Sequence, residues 1–161
     1  MSRFAIIGFG CAGYNALRAI RESGSEAEVD VYSTFPHPPA NPMLTTYYVK
    51  GKIPYEAMFP YGTAEEILAK YPCNLHSGVG ITALDAARRE LTLTTGEKKQ
   101  YDKILIATGA NAVNLPVGDI PADRIFTMRT VHDAERLKEA LDQRPIHSAL
   151  VVGASMVGIK I

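Results

Sequence analysis

Residues 4–13 read Phe-Ala-Ile-Ile-Gly-Phe-Gly-Cys-Ala-Gly, an apolar run that empties into a G-x-G-x-x-G turn. Glycines at this spacing are needed where a buried strand turns tightly into a helix packed close against it. The turn therefore constrains the fold before any other feature is considered. A helix is predicted over residues 12–22, with Gly13, Leu17 and Ile20 on one face. Residues 29–32, Val-Asp-Val-Tyr, read as a second strand. Strand, turn, helix and strand within about 30 residues form a βαβ unit, which closes right-handed. The fold class expected is α/β, built on a Rossmann-like parallel sheet.

The chemistry of such a turn is backbone chemistry. Gly8 permits the sharp exit from the strand. Gly10 carries no side chain, so a pyrophosphate can approach, and Gly13 lets the helix lie close to the sheet. Free N–H groups at the helix start, around Cys11 and Ala12, together with the helix dipole, stabilise phosphate. A second turn, Gly153-Ala154-Ser155-Met156-Val157-Gly158, follows the apolar residues 149–152, which read as a strand. Two such devices imply two dinucleotides, such as a flavin and a nicotinamide. An acidic residue ordinarily ends the second strand, where it binds a ribose. Ser33 holds that place, twenty residues after Gly13, and offers one neutral hydrogen bond; Asp30, the nearest acid, lies inside the strand.

Composition excludes several classes. The 161 residues carry 17 basic and 17 acidic side chains, so no overall field recruits nucleic acid or an acidic membrane. No apolar run is long enough to span a bilayer. No basic segment and cleavage site precede the first strand, and Cys11 and Cys73 form no C-x-x-C pair, which together read as a cytoplasmic protein with two free thiols. His76, His132 and His147 lack metal-ligand spacing, so no metal site is expected.

Between residues 35 and 62, six prolines interleaved with tyrosines forbid long regular structure and mark a functional loop. Thr63 with Glu66, and Thr130 with Asp133, are capping boxes that open helices. Residues 81–84 and 91–94 read as strands of a small antiparallel meander. Residues 103–107 are again a buried strand, ending in the small residues Thr108-Gly109-Ala110, where backbone approaches something closely. Three regions are expected: an incomplete dinucleotide-binding domain over 1–110, a linker and helix over 111–145, and the start of a second Rossmann domain over 146–161.

Four blocks together resemble the pyridine nucleotide-disulphide oxidoreductase superfamily, in its ferredoxin-reductase and NADH-oxidase-like branch. They are residues 5–13, the Tyr-Asp-Lys-Ile-Leu-Ile-Ala-Thr-Gly-Ala run of 101–110, the Met-Arg-Thr-Val-His-Asp-Ala run of 128–134, and residues 151–158. The resemblance implies FAD on the first turn and NAD(P)H on the second. It implies that Gly8, Gly10, Cys11, Ala12 and Gly13 hold the FAD pyrophosphate and that Ile81 offers its backbone to the adenine. Ala107, Thr108 and Gly109 would pack beside the flavin, and Gly153, Ser155 and Gly158 would begin the nicotinamide-dinucleotide site. Ser155 replaces the central glycine and leaves a hydroxyl donor. The segment 40–51 corresponds to the one passing the flavin ring. Relatives carry a redox cysteine there, or an Arg-Pro-x-Leu-Ser-Lys run. This chain has Pro42 and Met43 near the cysteine place, and Asn41 and Thr46 where the arginine and lysine would stand.

No side chain reads as a general acid or base; Glu56 and His37 are the nearest and read as solvated loop residues, so chemistry rests on the flavin. The expected function is that of the N-terminal part of a flavin-dependent oxidoreductase moving a hydride from NAD(P)H to FAD and on to an unknown acceptor, with a redox-partner protein among the candidates. Residues 1–161 alone are expected to be inactive and to bind FAD weakly or not at all, because the superfamily completes its flavin domain with a later segment. Self-association is expected through the apolar C-terminal strand and tail, residues 149–161. The alternatives are a non-catalytic nucleotide-binding or interaction module, which Ser33, Asn41 and Thr46 favour, and a simple NAD-dependent dehydrogenase, against which the proline-aromatic loop speaks.

Overall fold

The computed structural model describes residues 1–113, 115–143 and 145–161. In chain order its elements are β1 (Arg3–Ile7), α1 (Cys11–Glu22), β2 (Glu28–Ser33), α2 (Thr45–Val49), α3 (Ala64–Lys70), β3 (Asn74–Ser77), β4 (Ile81–Asp85), β5 (Glu90–Leu93), β6 (Lys98–Gln100), β7 (Lys103–Ile106), α4 (Val131–Gln143) and α5 (Met156–Lys160). They divide into two units: Met1–Ala40 with Tyr61–Gly109, and Asn41–Pro60 with Ala110–Ile161.

The first unit is a four-stranded parallel sheet of order β3-β2-β1-β7, accompanied by an antiparallel meander, β4-β5-β6. Successive residues of β1 point to opposite faces, and both faces are covered. Ile6 packs with Val29, Val31, Tyr14, Leu17, Ile67 and Tyr71, which joins the sheet to α1 and α3. Ala5 and Ile7 pack with Tyr32, Leu91, Leu93 and Tyr101, which joins the other face to the meander. Burial of each large side chain in these layers contributes about 1.5–3 kcal/mol relative to exposure. The capping box at Thr63 and Glu66 forms in both directions, with Glu66 N–H donating to Thr63 Oγ1 at 3.2 Å and Thr63 N–H donating to Glu66 Oε2 at 2.8 Å.

In the second unit the proline-rich segments hold only short elements: α2 and single 3₁₀ turns at Tyr55–Met58 and Ala122–Arg124. Tyr55 meets Tyr48 and Phe59 edge to face, with centroids 5.9 and 5.1 Å apart. Helix α4 packs on α2 and opens at the expected box, in which Thr130 N–H donates to Asp133 Oδ2 at 2.8 Å and Asp133 N–H to Thr130 Oγ1 at 3.1 Å.

The strand expected over residues 149–152 is absent. Among the described residues no strand pairs with this segment, and Leu150, Val151 and Val152 are exposed. An apolar run becomes a strand only when a neighbouring ladder satisfies its backbone.

Candidate functional site

In the first unit, the carboxyl ends of β1, β2 and β7 lie at one edge of the sheet. Strand β1 pairs with β2 on one side and β7 on the other, so the chain reverses its winding beside β1. A crevice outside the strand ends at such a switch point is where α/β sheets take ligands. The ladder continues past β1, with Gly8 N–H donating to Tyr32 O at 2.8 Å and Ala107 N–H to Ile7 O at 2.7 Å.

The three glycines of the turn have different surroundings. Gly8 has φ +104°, and a Cβ on it would collide with the Ala107 carbonyl and lie 3.1 Å from Thr108 Cα. A Cβ on Gly13 would collide with the Gly8 carbonyl oxygen and lie 3.3 Å from Ile6 Cγ2. A Cβ on Gly10 would meet nothing within 4 Å. Two glycines are thus required by packing, whereas the third leaves open space before the first turn of α1. Cys11 and Ala12, which begin that turn, are exposed. The Gly8 contact also brings Ala107 and Thr108 against the turn, and Gly109 follows them at φ +72°.

Ser33 ends β2, but its hydroxyl is used locally: Oγ donates to Phe35 O at 3.0 Å and accepts from Phe35 N–H at 3.2 Å. Its carbonyl accepts from Val79 N–H at 3.1 Å, and Gly80 lies against the Thr34 methyl, which brings the start of β4 at Ile81 to the end of β2. Asp30 is committed elsewhere. It is 3% exposed and accepts from Tyr101 Oη at 2.7 Å, Asn74 Nδ2 at 3.1 Å and Arg3 Nη2 at 3.3 Å, and it pairs with His76 Nε2 at 3.0 Å. Burial opposes its ionisation, but hydrogen bonds from His76, Tyr101 and Asn74 outweigh burial and hold the carboxyl below the ordinary value. The Tyr101 hydroxyl is pushed far up, by burial first and then by its bonds to Tyr32 and Asp30.

The second unit holds the second turn, and its backbone repeats the first. Gly153 has φ +109°, and a Cβ on Gly158 would collide with the Gly153 carbonyl oxygen and lie 3.3 Å from Val151 Cγ1. Ser155 stands in the place of Gly10 with the same extended conformation, φ −78° and ψ 175° against −83° and −164°. Ile159 N–H donates to Ser155 O at 2.9 Å, as Tyr14 N–H does to Gly10 O at 2.9 Å. The Ser155 hydroxyl makes no cap bond.

Asn41 and Thr46 also lie in this unit. Asn41 Oδ1 accepts from Met43 N–H at 3.0 Å, and Thr46 is 3% exposed within α2. Sequence reasoning missed a cleft of about 200 Å³ lined by Asn111, Thr127, Arg129, Thr130 and Asp133. Burial raises the Asp133 carboxyl, but bonds from Thr130, Thr127 and the Arg129 backbone outweigh it and lower the group's pKa. The signal was present in the Met-Arg-Thr-Val-His-Asp block, whose arginine lines this cleft. Among the described residues there is no cluster able to hold a metal ion, and no helix long and apolar enough to cross a membrane.

Residues 2–161 match the family model described as pyridine nucleotide-disulphide oxidoreductase. The chain belongs to this family. Among solved structures it is similar to putidaredoxin reductase in its covalent complex with putidaredoxin, at 26% identity and TM-score 0.77, covering 87% of this chain and 34% of that one. Its fold is also that of the ferredoxin reductase for the CYP199A2 system from Rhodopseudomonas palustris, at 24% identity and TM-score 0.82, covering 99% and 39%. NADH:rubredoxin oxidoreductase from Clostridium acetobutylicum shares the fold at 20% identity and TM-score 0.79, covering 99% and 40%. This pyridine nucleotide-disulphide oxidoreductase chain thus spans between about a third and two fifths of the length of these relatives.

Proposed function

We propose that residues 1–161 are the flavin-binding front part of an oxidoreductase that moves a hydride from NAD(P)H to FAD and on to an electron acceptor. The observation that carries the reading is the first turn. Gly8 and Gly13 are forced by packing, and Gly10 leaves room beside unencumbered helix amides. These residues fit a diphosphate: a pyrophosphate over Gly10 would receive the N–H groups of Cys11, Ala12 and Gly13. When bound, FAD supplies a carrier that accepts two electrons as a hydride.

The chain's own residues bind and orient. Ala107, Thr108 and Gly109 wall the turn, and Ile81 offers backbone at the adenosine end. With a serine at the end of β2 whose hydroxyl is used by Phe35, and Asp30 committed to Tyr101, Asn74 and His76, an adenosine ribose would be bound here without the usual carboxylate. Gly153, Ser155 and Gly158 begin the NAD(P)H site, a reading supported by the repeated backbone. Segment 40–51, with Pro42 and Met43 near the place of a relative's cysteine, offers no cysteine relay.

A small redox protein is the acceptor class we favour, supported by the similarity to a reductase joined to putidaredoxin. We also propose a cytoplasmic setting, consistent with two free thiols, and self-association through the exposed apolar residues 149–161. Titration with FAD, followed by quenching of flavin fluorescence, tests the reading. Saturable binding supports it, and no binding to the protein carrying these residues would sink it.

A further inference from the structure

Tyr61 lies outside every motif, yet it reaches the start of α1. Its hydroxyl meets Cys11 Sγ at 3.0 Å. Cys11 is the first residue of α1 and is also gripped from within the helix, since Asn15 Nδ2 donates to Cys11 O at 2.8 Å and approaches Cys11 Sγ at 3.5 Å. The ring of Tyr61 is stacked on Tyr14 with centroids 4.2 Å apart and planes at 27°. Tyr14 is buried and meets Tyr71 edge to face at 6.0 Å.

The backbone beyond Tyr61 is fixed too. Gly62 has φ +92°, and a Cβ there would stand 2.5 Å from Glu66 Oε2, the carboxylate of the α3 capping box. Tyr61 is therefore held from two sides, by a stacked core ring and by the cap of α3. Its one polar atom is spent on the residue whose N–H opens the anion-facing end of α1.

We infer that Tyr61 is a positioning residue for the dinucleotide turn, acting through Cys11 to fix the first turn of α1. The inference rests on the flavin reading above. It assigns Tyr61 no contact with the nucleotide and no part in the reaction. Loss of the hydroxyl alone releases Cys11 while the Tyr14 stack survives, so phosphate affinity falls by about 2- to 10-fold, the range of one uncharged hydrogen bond.

A double-mutant cycle tests this. FAD affinity and the unfolding midpoint are measured for the wild type, Tyr61→Phe, Cys11→Ala and the double variant. The expected result is weaker FAD binding in Tyr61→Phe with only a small drop in midpoint, and no further loss of affinity when Tyr61→Phe is added to Cys11→Ala. Unaltered affinity in Tyr61→Phe, or an undiminished effect in the Cys11→Ala background, would overturn the inference while leaving the flavin reading intact. All four proteins are compared as the full-length chain, and no FAD binding by the full-length wild type would overturn both.

Discussion

Gly13 sits so close to Gly8 that a Cβ on the first would collide with the carbonyl oxygen of the second. The same relationship joins Gly158 to Gly153. In each case the helix can lie this close to the turn that precedes it only because one residue has no side chain, and in the first unit this seats α1 against β1. Gly13→Ala should therefore destabilise the first unit by about 1–3 kcal/mol, the usual cost of overpacking a tight contact. Denaturant unfolding would show a lower midpoint, and FAD affinity should fall with it because the amides of α1 are displaced.

Asp30 should make the fold acid-sensitive. Its folded-state carboxyl lies below the ordinary value of 3.8, so its contribution is fully present above that value and is lost as pH falls through the depressed folded pKa. Urea midpoints measured between neutral pH and about pH 3 should drop steeply at the acid end. Asp30→Asn should flatten that limb and cost about 1–3 kcal/mol at neutral pH, because an amide replaces the buried carboxylate that Tyr101, Asn74 and His76 share, while the part-exposed Arg3 keeps Glu28.

The polar edge of the sheet shows what the sequence did and did not disclose. Both glycine turns, the strands around the first of them and both capping boxes were legible because each rests on local rules of spacing. Strand β3, Asn-Leu-His-Ser, was not legible, since three of its four side chains are polar and two of them, Asn74 and His76, serve Asp30 on the neighbouring strand. That pairing appears only once the fold exists. Strand β6, Lys-Lys-Gln, was hidden by the charges that protect an edge. Ser33 had the position of a ribose ligand, but its spacing gave no sign that Phe35 would take the hydroxyl. The segment at 149–152 had the composition of a strand without a partner to pair with.

The two thiols should differ in reactivity. Cys11 is exposed, whereas Cys73 is half-buried and its thiol is pushed up to about 11, chiefly by burial. Brief treatment with iodoacetamide near pH 8, read by peptide mass spectrometry, should modify Cys11 well before Cys73. Saturating FAD should slow the modification of Cys11 and leave Cys73 unchanged.

Asp133 anchors the start of α4 through Thr127, Thr130 and the Arg129 backbone. Thr130→Ala should cost about 0.5–2 kcal/mol as a lost cap. Limited proteolysis should then cut more readily within residues 111–130, while fragments from the first unit appear at the wild-type rate.

The central claim is that the main-chain amides beyond β1 grip a diphosphate over Gly10. FAD titration of the wild type and of Gly10→Val, with unfolding midpoints measured in parallel, tests it most directly. Gly10 has an ordinary extended conformation and open space for a Cβ, so the account predicts a midpoint lowered by no more than the roughly 1 kcal/mol of a poorer N-cap and an affinity at least about 10-fold weaker, as the side chain takes the phosphate's place. Equal affinity in the two proteins would contradict it.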